Sequence, residues 1–420
     1  MSTNSRRWAI VTIGDITSES TERLGGETAK YPVYGVDRSV GLTTAPKYVA
    51  GDLARYKHLR PGMFAYNPMR LNIGSIGFCT NKHETGLVSP DYVVFRCNIT
   101  RLHPEFLHYY IQSSNWREWT RGAGVGSVRM RIYFREISRM PLLLPSLSEQ
   151  RAIAHILGAL DDKIELNRQM NETLEAIAQA FFKSWFVDFD PVRAKAEGRD
   201  PGLPKKITAL FPNSFENTDL GEIPKGWPVQ PFADTVTIIG GGTPKTSVPS
   251  YWDGDVPWFS VVDAPRSSDV WVVDTEKKIT HEGVVNSSTR MLPVGTTIIS
   301  ARGTVGKIGL VSMPMTMNQS CYGLRSKVET QGFYTYFATR QLVANLKQHA
   351  HGSVFDTITR DTLAGVSIAS PPAVLIEAFE ARVGPVLERI RVASMNSHTL
   401  AVLRNTLLPK LLACEIRVKT

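Results

Sequence analysis

A long internal repeat constrains this chain of 420 residues more than any other feature. Gly126-Ser127-Val128 recurs as Gly352-Ser353-Val354, and Thr173-Leu174 recurs as Thr399-Leu400, both at a spacing of 226 residues. The spacing stays constant, with no gap, over about 60 residues, far longer than a chance match between two ordinary helices would sustain. The chain is therefore expected to contain the same structural unit twice.

Looser matches extend the repeat upstream. Gly62-Met63-Phe64 corresponds to Gly295-Thr296-Thr297, and Trp8 corresponds to Trp227. Each copy contains short β-prone runs and turns, and each ends in a long helical pattern. The order predicted for the chain is a globular domain, a long helix, a second globular domain and a second long helix.

Both predicted long helices carry a heptad pattern of apolar positions. In the first, Ser146 and Glu149 form the pattern of a helix-capping box. Positions that alternate by four and three residues predict a coiled-coil seam with polar residues at its centre. The predicted seam residues are Leu157, Leu160, Ile164, Asn167, Asn171 and Leu174 in the first helix, and Val383, Val386, Ile390, Ser397 and Leu400 in the second.

Such a seam needs a partner helix, and the two helices of this chain are the nearest candidates. The repeat favours antiparallel packing, which brings Asn167 and Asn171 towards Ala393 and Ser397. About forty helical residues would span about 60 Å, so the pair could act as a rigid spacer. Two core helices of one compact domain are the alternative. Gly384-Pro385 predicts a kink or a late start in the second helix.

The predicted fold class is α+β, with two tandem globular domains that each hold a twisted, mostly antiparallel sheet. Two long helices forming an antiparallel coiled coil join the domains, which gives the chain a pseudo-twofold internal repeat. The segment between the first helix and the second domain is rich in proline and is expected to be an extended linker. The predicted boundaries are 1–145 for the first domain, 146–186 for the first helix, 187–223 for the linker, 224–370 for the second domain and 371–417 for the second helix.

The chain's charge is unevenly distributed. The net charge is +9, and residues 1–145 hold 19 basic and 11 acidic side chains, whereas residues 201–370 hold 15 and 14. If both domains bind one polyanion, the second must rely on where its basic residues lie. Four scattered cysteines and the absence of a long apolar run favour a reducing, cytoplasmic location.

Sequence motifs of a self-contained active site are missing. Lys245-Thr246 follows Pro244, where a phosphate-binding loop needs glycine. Asn67-Pro68-Met69 departs from an amino-methyltransferase loop, and Glu276-Lys277-Lys278 lacks the partner acid of a nuclease. The histidines show no metal-ligand spacing. We therefore expect no catalysis by this chain alone and no bound metal or cofactor.

Several short motifs occur in a fixed order along nearly the whole chain. They are Ile223-Pro224-Lys225-Gly226-Trp227, Gly241-Gly242-Thr243-Pro244, Tyr251–Trp258, Ser300–Lys307, Met317–Cys321 and Leu144–Gln150. In the order and spacing of these motifs the chain resembles the DNA-specificity (S) subunits of type I restriction–modification systems. The first domain departs from the pattern, because Tyr66-Asn67-Pro68-Met69-Arg70 stands where the second has Ser300-Ala301-Arg302-Gly303, and Ser89-Pro90 is a rough counterpart of Asn318-Gln319.

The resemblance implies that each domain recognises one half of a split DNA target and that the coiled coil sets the gap. It also implies two modification (methyltransferase) subunits, which use S-adenosylmethionine, and a restriction (translocase and nuclease) subunit, which uses ATP and Mg. These cofactors are expected on the partner subunits and not on this chain.

Arginine, lysine, asparagine, glutamine and serine in loops are the side chains suited to contact phosphates and base edges. For each of them, a solvated surface position or a turn is the alternative interpretation. Trp252 and Trp258 are expected in the core and not as stacking platforms. The candidate DNA-binding residues are Lys245, Arg302, Lys307, Asn318, Gln319 and Ser353 in the second domain, and Arg70, Asn72, Arg129 and Arg131 in the first.

Two other functional classes remain open from sequence. One is a structural coiled-coil protein whose domains bind other proteins without specific DNA readout, which the nearly neutral second domain favours. The other is a self-contained DNA-modifying enzyme, which the missing motifs disfavour.

Overall fold

The computed structural model describes residues 8–26, 30–38, 40–44, 46, 48–122, 131–265, 269–328, 330–349 and 357–418. The chain divides into two compact units. The first unit comprises Met1–Asp162 and Leu400–Thr420, and the second comprises Lys163–Thr399. Each long helix therefore contributes residues to both units.

The first domain is a mixed structure of short strands and helices that leads into a long helix. Its strands are β1 (Ala9–Thr12), β2 (Thr17–Ser20), β3 (Gly35–Asp37), β4 (Gly41–Thr43), β5 (Lys57–Leu59), β6 (Met63–Tyr66), β7 (Ile76–Phe78), β8 (Gly86–Val88), β9 (Val93–Cys97) and β10 (Pro141–Leu144). Its helices are α1 (Ile13–Ile16), α2 (Pro104–Tyr110), α3 (Ser114–Gly122) and α4 (Phe134–Ser138), and the long helix is α5 (Leu147–Phe186).

The rest of the chain repeats this order after a short connecting segment. The connection holds α6 (Asp190–Ala196), α7 (Lys205–Thr208), β11 (Phe215–Thr218) and β12 (Gly221–Pro224). The second domain holds β13 (Val229–Pro231), α8 (Phe232–Thr235), β14 (Val236–Gly240), β15 (Trp252–Phe259), β16 (Trp271–Val272), β17 (Lys278–Ile279), α9 (His281–Val285), β18 (Thr297–Ser300), β19 (Ile308–Val311), β20 (Thr316–Met317), β21 (Cys321–Ser326), α10 (Gly332–His349), α11 (Arg360–Ala364) and β22 (Ser367–Ala369), and α12 (Ala373–Leu412) follows.

The central sheets of the two domains have the same strand order. In the first domain the order is β2-β9-β6-β7. In the second it is β14-β21-β18-β19, and β16 is an additional outer strand next to β19. All of these pairings are antiparallel except β16 with β19. The predicted α+β fold with two tandem, mostly antiparallel domains is therefore confirmed.

Equivalent main-chain hydrogen bonds support the repeat at the atomic level. The N–H of Ile13 donates to the carbonyl of Met140 (2.9 Å), and the N–H of Phe232 donates to the carbonyl of Val366 (2.8 Å). Met140 and Val366 are 226 residues apart, which is the spacing seen in the sequence. In both domains this bond fixes the short helix after the first strand to the strand that precedes the long helix.

The two long helices, 40 residues each, pack antiparallel and share a buried polar layer. The Asn167 side-chain amide donates to the hydroxyl of Ser397 (3.1 Å) and to the carbonyl of Ala393 (3.4 Å), and the Asn171 amide donates to the hydroxyl of Ser394 (3.1 Å). Both asparagines are almost fully buried. The predicted antiparallel coiled coil with central polar residues is thus observed.

Ionic clusters join the helix pair to the domain packed against it in each unit. In the first unit, Asp161 accepts from the hydroxyl of Tyr109 (2.8 Å) and pairs with Arg404. In the second unit, Glu175 pairs with Arg340. Glu175 is buried, so removing Arg340 would leave an uncompensated charge, which is costly in a protein interior.

Two seam positions differ from the heptad prediction. Glu175 is buried where Leu174 was expected to be the seam residue, and Leu387 is fully buried whereas Val386 is half-buried. Further along α5, Ala178 and Trp185 are buried at heptad positions, so Glu175 is an additional buried position and not a shift of the seam. This part of the helix packs against the domain core as well as against the partner helix, and both contacts determine which of its side chains are buried.

The connections differ in part from the expectations. Helix α12 begins at Ala373 and continues through Gly384-Pro385, so of the predicted kink or late start, the late start is excluded. It ends at Leu412, before the predicted boundary, and Cys414 adopts a left-handed conformation (φ 62°) that turns the chain back. The segment 187–223 is not an extended linker, because its short helices and hairpin bury Val192 and Phe211 in the core.

The pH dependence of stability should reveal a buried carboxylate on α12. Burial raises the pKa of Glu380 to about 7, although the backbone N–H of Tyr334 (2.7 Å) donates to it at the start of α10. The unfolded chain releases this proton near its ordinary pKa of 4.5, so the free energy of unfolding should fall as pH rises from 4.5 to 7, by at most about 3 kcal/mol.

The Glu380→Gln variant should lose this dependence, because glutamine accepts the same hydrogen bonds without titrating. Denaturant unfolding at pH 5 and pH 7.5 would compare it with the wild type and with a Glu377→Gln control at an exposed neighbouring position. Equal pH dependence in the wild type and in Glu380→Gln would contradict the assignment.

Candidate nucleic-acid interface

One edge of the second domain's sheet gathers most of the predicted DNA-binding residues. Gly240 at the end of β14 pairs with Tyr322 near the start of β21, and Ser300 at the end of β18 pairs with Cys321. Because neighbouring strands are antiparallel, the loop after β14, the turn between β18 and β19, and the loop before β21 all leave the sheet at this edge. We call this surface the second edge; it carries residues 241–248, 301–307 and 318–320.

The loop after β14 is held tightly against the sheet by its glycines. The N–H of Gly242 donates to the carbonyl of Met317 (2.9 Å), and the indole N–H of Trp258 donates to the carbonyl of Gly242 (2.9 Å). A methyl group on Gly241 would overlap the backbone carbonyl of Asn318. The two glycines thus allow the backbones of two loops of the second edge to touch, which a side chain would prevent.

The amide residues of the second edge have different roles. Asn318 is half-buried, and its side-chain oxygen accepts from the N–H of Ser320 (3.0 Å), so it shapes its own loop. Gln319 is exposed, and its side-chain oxygen accepts from the hydroxyl of Thr243. This bond leaves the amide N–H groups of Gln319 as donors that face away from Thr243.

Cations surround the turn between β18 and β19. Arg302 and Lys307 are both exposed within this turn, and Lys245 is exposed on the neighbouring loop. A main-chain bond from the N–H of Ile358 to the carbonyl of Ala301 (2.9 Å) connects the turn to the chain that enters α11. The predicted residues Lys245, Arg302, Lys307, Asn318 and Gln319 therefore lie on one continuous edge.

The first domain presents an equivalent edge. Tyr66 at the end of β6 pairs with Val93 and with Ile76, so the turn between β6 and β7 and the loop before β9 leave the sheet together. We call this surface the first edge; it carries residues 67–75, 89–92 and 131–133. Ser89-Pro90 lies where the second domain has Asn318-Gln319, in agreement with the rough correspondence in the sequence.

The predicted residues of the first edge also come together. Arg70 is exposed and Asn72 is half-buried in the turn between β6 and β7. The N–H of Ile132 donates to the carbonyl of Pro68 (3.0 Å), which brings the exposed Arg131 beside this turn. Ile132 and Ile358 are repeat partners, so the same main-chain tether occurs in both domains.

Sequence reasoning missed one cation at the first edge. Arg38 lies at the end of the β3–β4 hairpin, and its Cγ is 3.9 Å from where a side chain on Gly74 would begin. The hairpin packs on β7, and a residue larger than glycine at position 77 would clash with Leu42. Only the tertiary packing of this hairpin places Arg38 near Arg70, and no sequence motif marks it.

The remaining predicted positions have mixed outcomes. Ser353 and Arg129 lie outside the described residues. Trp258 is buried, Trp252 is half-buried, and their rings meet edge to face at 5.3 Å, so both support the loop after β14 as core residues. Burial raises the pKa of the Cys321 thiol to about 12, which keeps it protonated. Within the described ranges, no cluster of His, Cys, Asp and Glu could hold a metal ion.

Comparison with known proteins identifies the family. The family model for the type I restriction modification DNA specificity domain matches residues 7–176 and 224–374. The chain therefore belongs to this family and carries two copies of its domain. The two matched segments contain the first and second edges.

Individual relatives agree with the family assignment. The chain is 29% identical to the type I restriction enzyme HindI specificity subunit of Haemophilus influenzae, over 97% of this chain and 99% of that protein. It is 33% identical to the type I restriction enzyme MjaIX specificity subunit of Methanocaldococcus jannaschii, over 37% of each chain. The crystal structure of the S subunit of the type I restriction–modification system from M. genitalium has a TM-score of 0.60, at 14% identity and 98% coverage of both chains, which shows a shared fold.

No helix in the described part of the chain is both long enough and apolar enough to cross a lipid bilayer.

Replacing Gly241 with alanine should disrupt the second edge. The added methyl group meets backbone and not a flexible side chain, so the loop after β14 must move away from Asn318. We expect a lower thermal midpoint and loss of any DNA binding through this domain. Gly240→Ala is the matched control, because a methyl group there has open space around it. Similar thermal midpoints for the two variants would contradict the described packing.

Proposed function

We propose that this chain is the DNA specificity subunit of a type I restriction–modification complex. Each domain reads one half of a split target, and the helix pair fixes the number of base pairs between the halves. The observation that carries the proposal is that both family-matched segments present exposed basic and amide residues at the same edge of the same sheet.

The chemistry of the two edges suits double-stranded DNA. Exposed lysine and arginine side chains neutralise phosphates, and arginine, asparagine and glutamine can form paired hydrogen bonds with base edges in the major groove. Arg302 and Gln319 in the second domain, and Arg70 in the first, have the exposure needed for such contacts. Since the two edges differ in their side chains, the two half-sites differ in sequence.

The reactions themselves belong to partner subunits in this proposal. Two modification subunits carry S-adenosylmethionine and methylate adenine, and a restriction subunit uses ATP and Mg to translocate and cleave DNA. The helix pair supplies a docking surface for the modification subunits, because it exposes apolar side chains outside the seam. Leu166 on α5 is 57% exposed and Val392 on α12 is 44% exposed. Contiguous exposed apolar surface marks sites of contact with other proteins, and Leu166 and Val392 are the side chains on which this docking surface is proposed.

The structural alternative, a coiled-coil protein without DNA readout, receives less support. Its basis was the nearly neutral second domain, but Lys245, Arg302 and Lys307 of that domain are exposed together on the second edge. A steep fall in DNA affinity with salt separates the two functions, because only phosphate contacts release counterions.

Co-expression with a modification subunit should reveal the target. Mapping methylated adenines across the host DNA should give one split motif with a fixed gap. Exchange of residues 224–370 for the equivalent domain of a relative should change one half of this motif and leave the other half intact. A motif that is not split, or methylation that does not require this chain, would refute the proposal.

Arg302→Ala and Gln319→Ala should relax the motif within the same half only. Loss of one bidentate base contact costs about 1–3 kcal/mol of discrimination, so additional bases should appear at one position in the methylation map. Lys327→Ala is the control, since Lys327 is exposed at the opposite end of β21 and its backbone N–H donates to Thr235. A change in both halves, or in neither, would exclude these residues from base readout.

Leu166→Asp should weaken assembly with the modification subunit, because a charge would replace an apolar contact. Size-exclusion chromatography of the co-purified complex would measure the loss. Gln179→Asp adds the same charge on a different side of α5, where the side chain is also exposed, and should leave the complex intact. Equal behaviour of the two variants would place the docking surface elsewhere.

A further inference from the structure

A lysine outside the loops of the second edge lies against its central turn. Lys347 is in the last turn of α10, and its Nζ is 3.2 Å from where a side chain on Gly306 would begin. Gly306 has φ +78°, and a methyl group there would come within 2.8 Å of Val343 Cγ1, so the helix and the turn pack too closely for any other residue. The ammonium group of Lys347 is thus held beside the turn that carries Arg302 and Lys307.

Lys347 is exposed, and no carboxylate of the described residues forms an ion pair with it. Together with Lys245, Arg302 and Lys307 it makes four cations around one turn. Mutual repulsion among these charges disfavours their grouping unless an anion binds between them. The arrangement therefore favours a polyanion with regularly spaced charges.

The first domain has a cation at the equivalent position. The spacing of 226 residues places Arg121 on Lys347. Arg121 is exposed in the last turn of α3, as Lys347 is in α10. Helix α3 packs against the short helical turn Leu71–Ile73, which lies within the turn between β6 and β7. In both domains, a helix that packs on the corresponding turn carries a cation in its own last turn.

The location of these two cations separates them from the loops that differ between the domains. Both are carried by helices, and both positions hold a basic residue. The sequence of the neighbouring turn nevertheless differs, being Ser300–Lys307 in the second domain and Tyr66–Arg70 in the first. Contacts to phosphate position a protein on DNA without reading sequence, whereas contacts to base edges specify it. A charge that is common to two domains with different loops fits the first role.

We propose that Lys347 and Arg121 are equivalent phosphate anchors, one in each domain. Each binds a DNA phosphate and so positions the edge of its domain on the DNA backbone, independently of the bases read. This inference rests on the proposed function as a DNA specificity subunit. A competing structural role exists, because a cation in the last turn of a helix also interacts favourably with the helix dipole. That role would alter thermal stability but not the salt dependence of DNA binding.

The test uses the full chain assembled with its modification subunits and a DNA duplex that carries the mapped motif. Lys347→Gln and Arg121→Gln should each reduce the slope of log affinity against log salt concentration by about 0.9, and the double variant by about twice as much. Lys347→Arg should restore the wild-type slope. The methylated motif should remain unchanged in all of these variants, because only backbone contacts are lost.

Lys327→Gln is the matched control, since it removes an exposed lysine from the opposite end of the same sheet. An unchanged slope in Lys347→Gln, or an altered motif, would overturn the anchor assignment. A lower thermal midpoint with an unchanged slope would leave only the helix-dipole role. If the wild-type complex shows no split motif and no specific binding, the proposed function itself fails. This outcome concerns the wild type and is therefore distinct from the outcomes for the variants.

Discussion

The structure depends on the register between the two antiparallel long helices. Asn167 and Asn171 donate to Ser397, Ala393 and Ser394 across the seam, so a slip of one heptad would bury two amides without partners. Each unsatisfied buried group costs about 1–3 kcal/mol. The same register places Asp161 of α5 opposite Arg404 of α12, and Asp161 also accepts from Tyr109 of the first domain. Glu175 of α5 pairs with Arg340 of α10 and so connects the helix pair to the second domain. This polar layer thereby fixes which residues of the two long helices face each other.

Net charge proved a poor guide to the second domain, whereas the placement of its charges is informative. Fifteen basic and fourteen acidic residues nearly cancel in residues 201–370. The antiparallel sheet nevertheless brings the ends of four strands to one edge, and the cations of distant segments meet there. The first domain reaches a similar local arrangement from a strongly basic sequence. Local potential, and not total charge, controls contact with a polyanion at close range.

The architecture could be predicted from the sequence because the repeat is long and ungapped and because heptads report helix packing directly. The antiparallel pairing and its polar centre followed from symmetry and from Asn167 and Asn171. Details that depend on packing against a part of the structure other than the partner helix could not be predicted. Glu175 is buried as well because a domain core also covers that part of the helix, and the segment 187–223 folded because Val192 and Phe211 find partners far away in the chain.

The candidate site was predicted in part for the same reason. Loop motifs marked Lys245, Arg302 and Gln319, since glycine and polar residues cluster there. Arg38 and Lys347 were missed, because a hairpin and a helix end carry them to the edges only in the folded chain. Such residues have no local signal, and only the repeat spacing of 226 could have connected Lys347 with Arg121.

Main-chain hydrogen bonds hold the turn between β6 and β7 and the turn between β18 and β19 in place. The N–H of Ile132 donates to the carbonyl of Pro68 in the first domain, and the N–H of Ile358 donates to the carbonyl of Ala301 in the second. A bond between backbone groups survives replacement of the side chains that flank it. Replacement of the exposed side chains in these turns, such as Arg302 and Arg70, is therefore expected to cost little folding stability while, under the proposed function, it changes which bases are contacted. The fold separates the freedom to evolve new targets from the requirement to remain folded, and the two domains of this one chain, alike in backbone and different in side chains, are an example of that freedom.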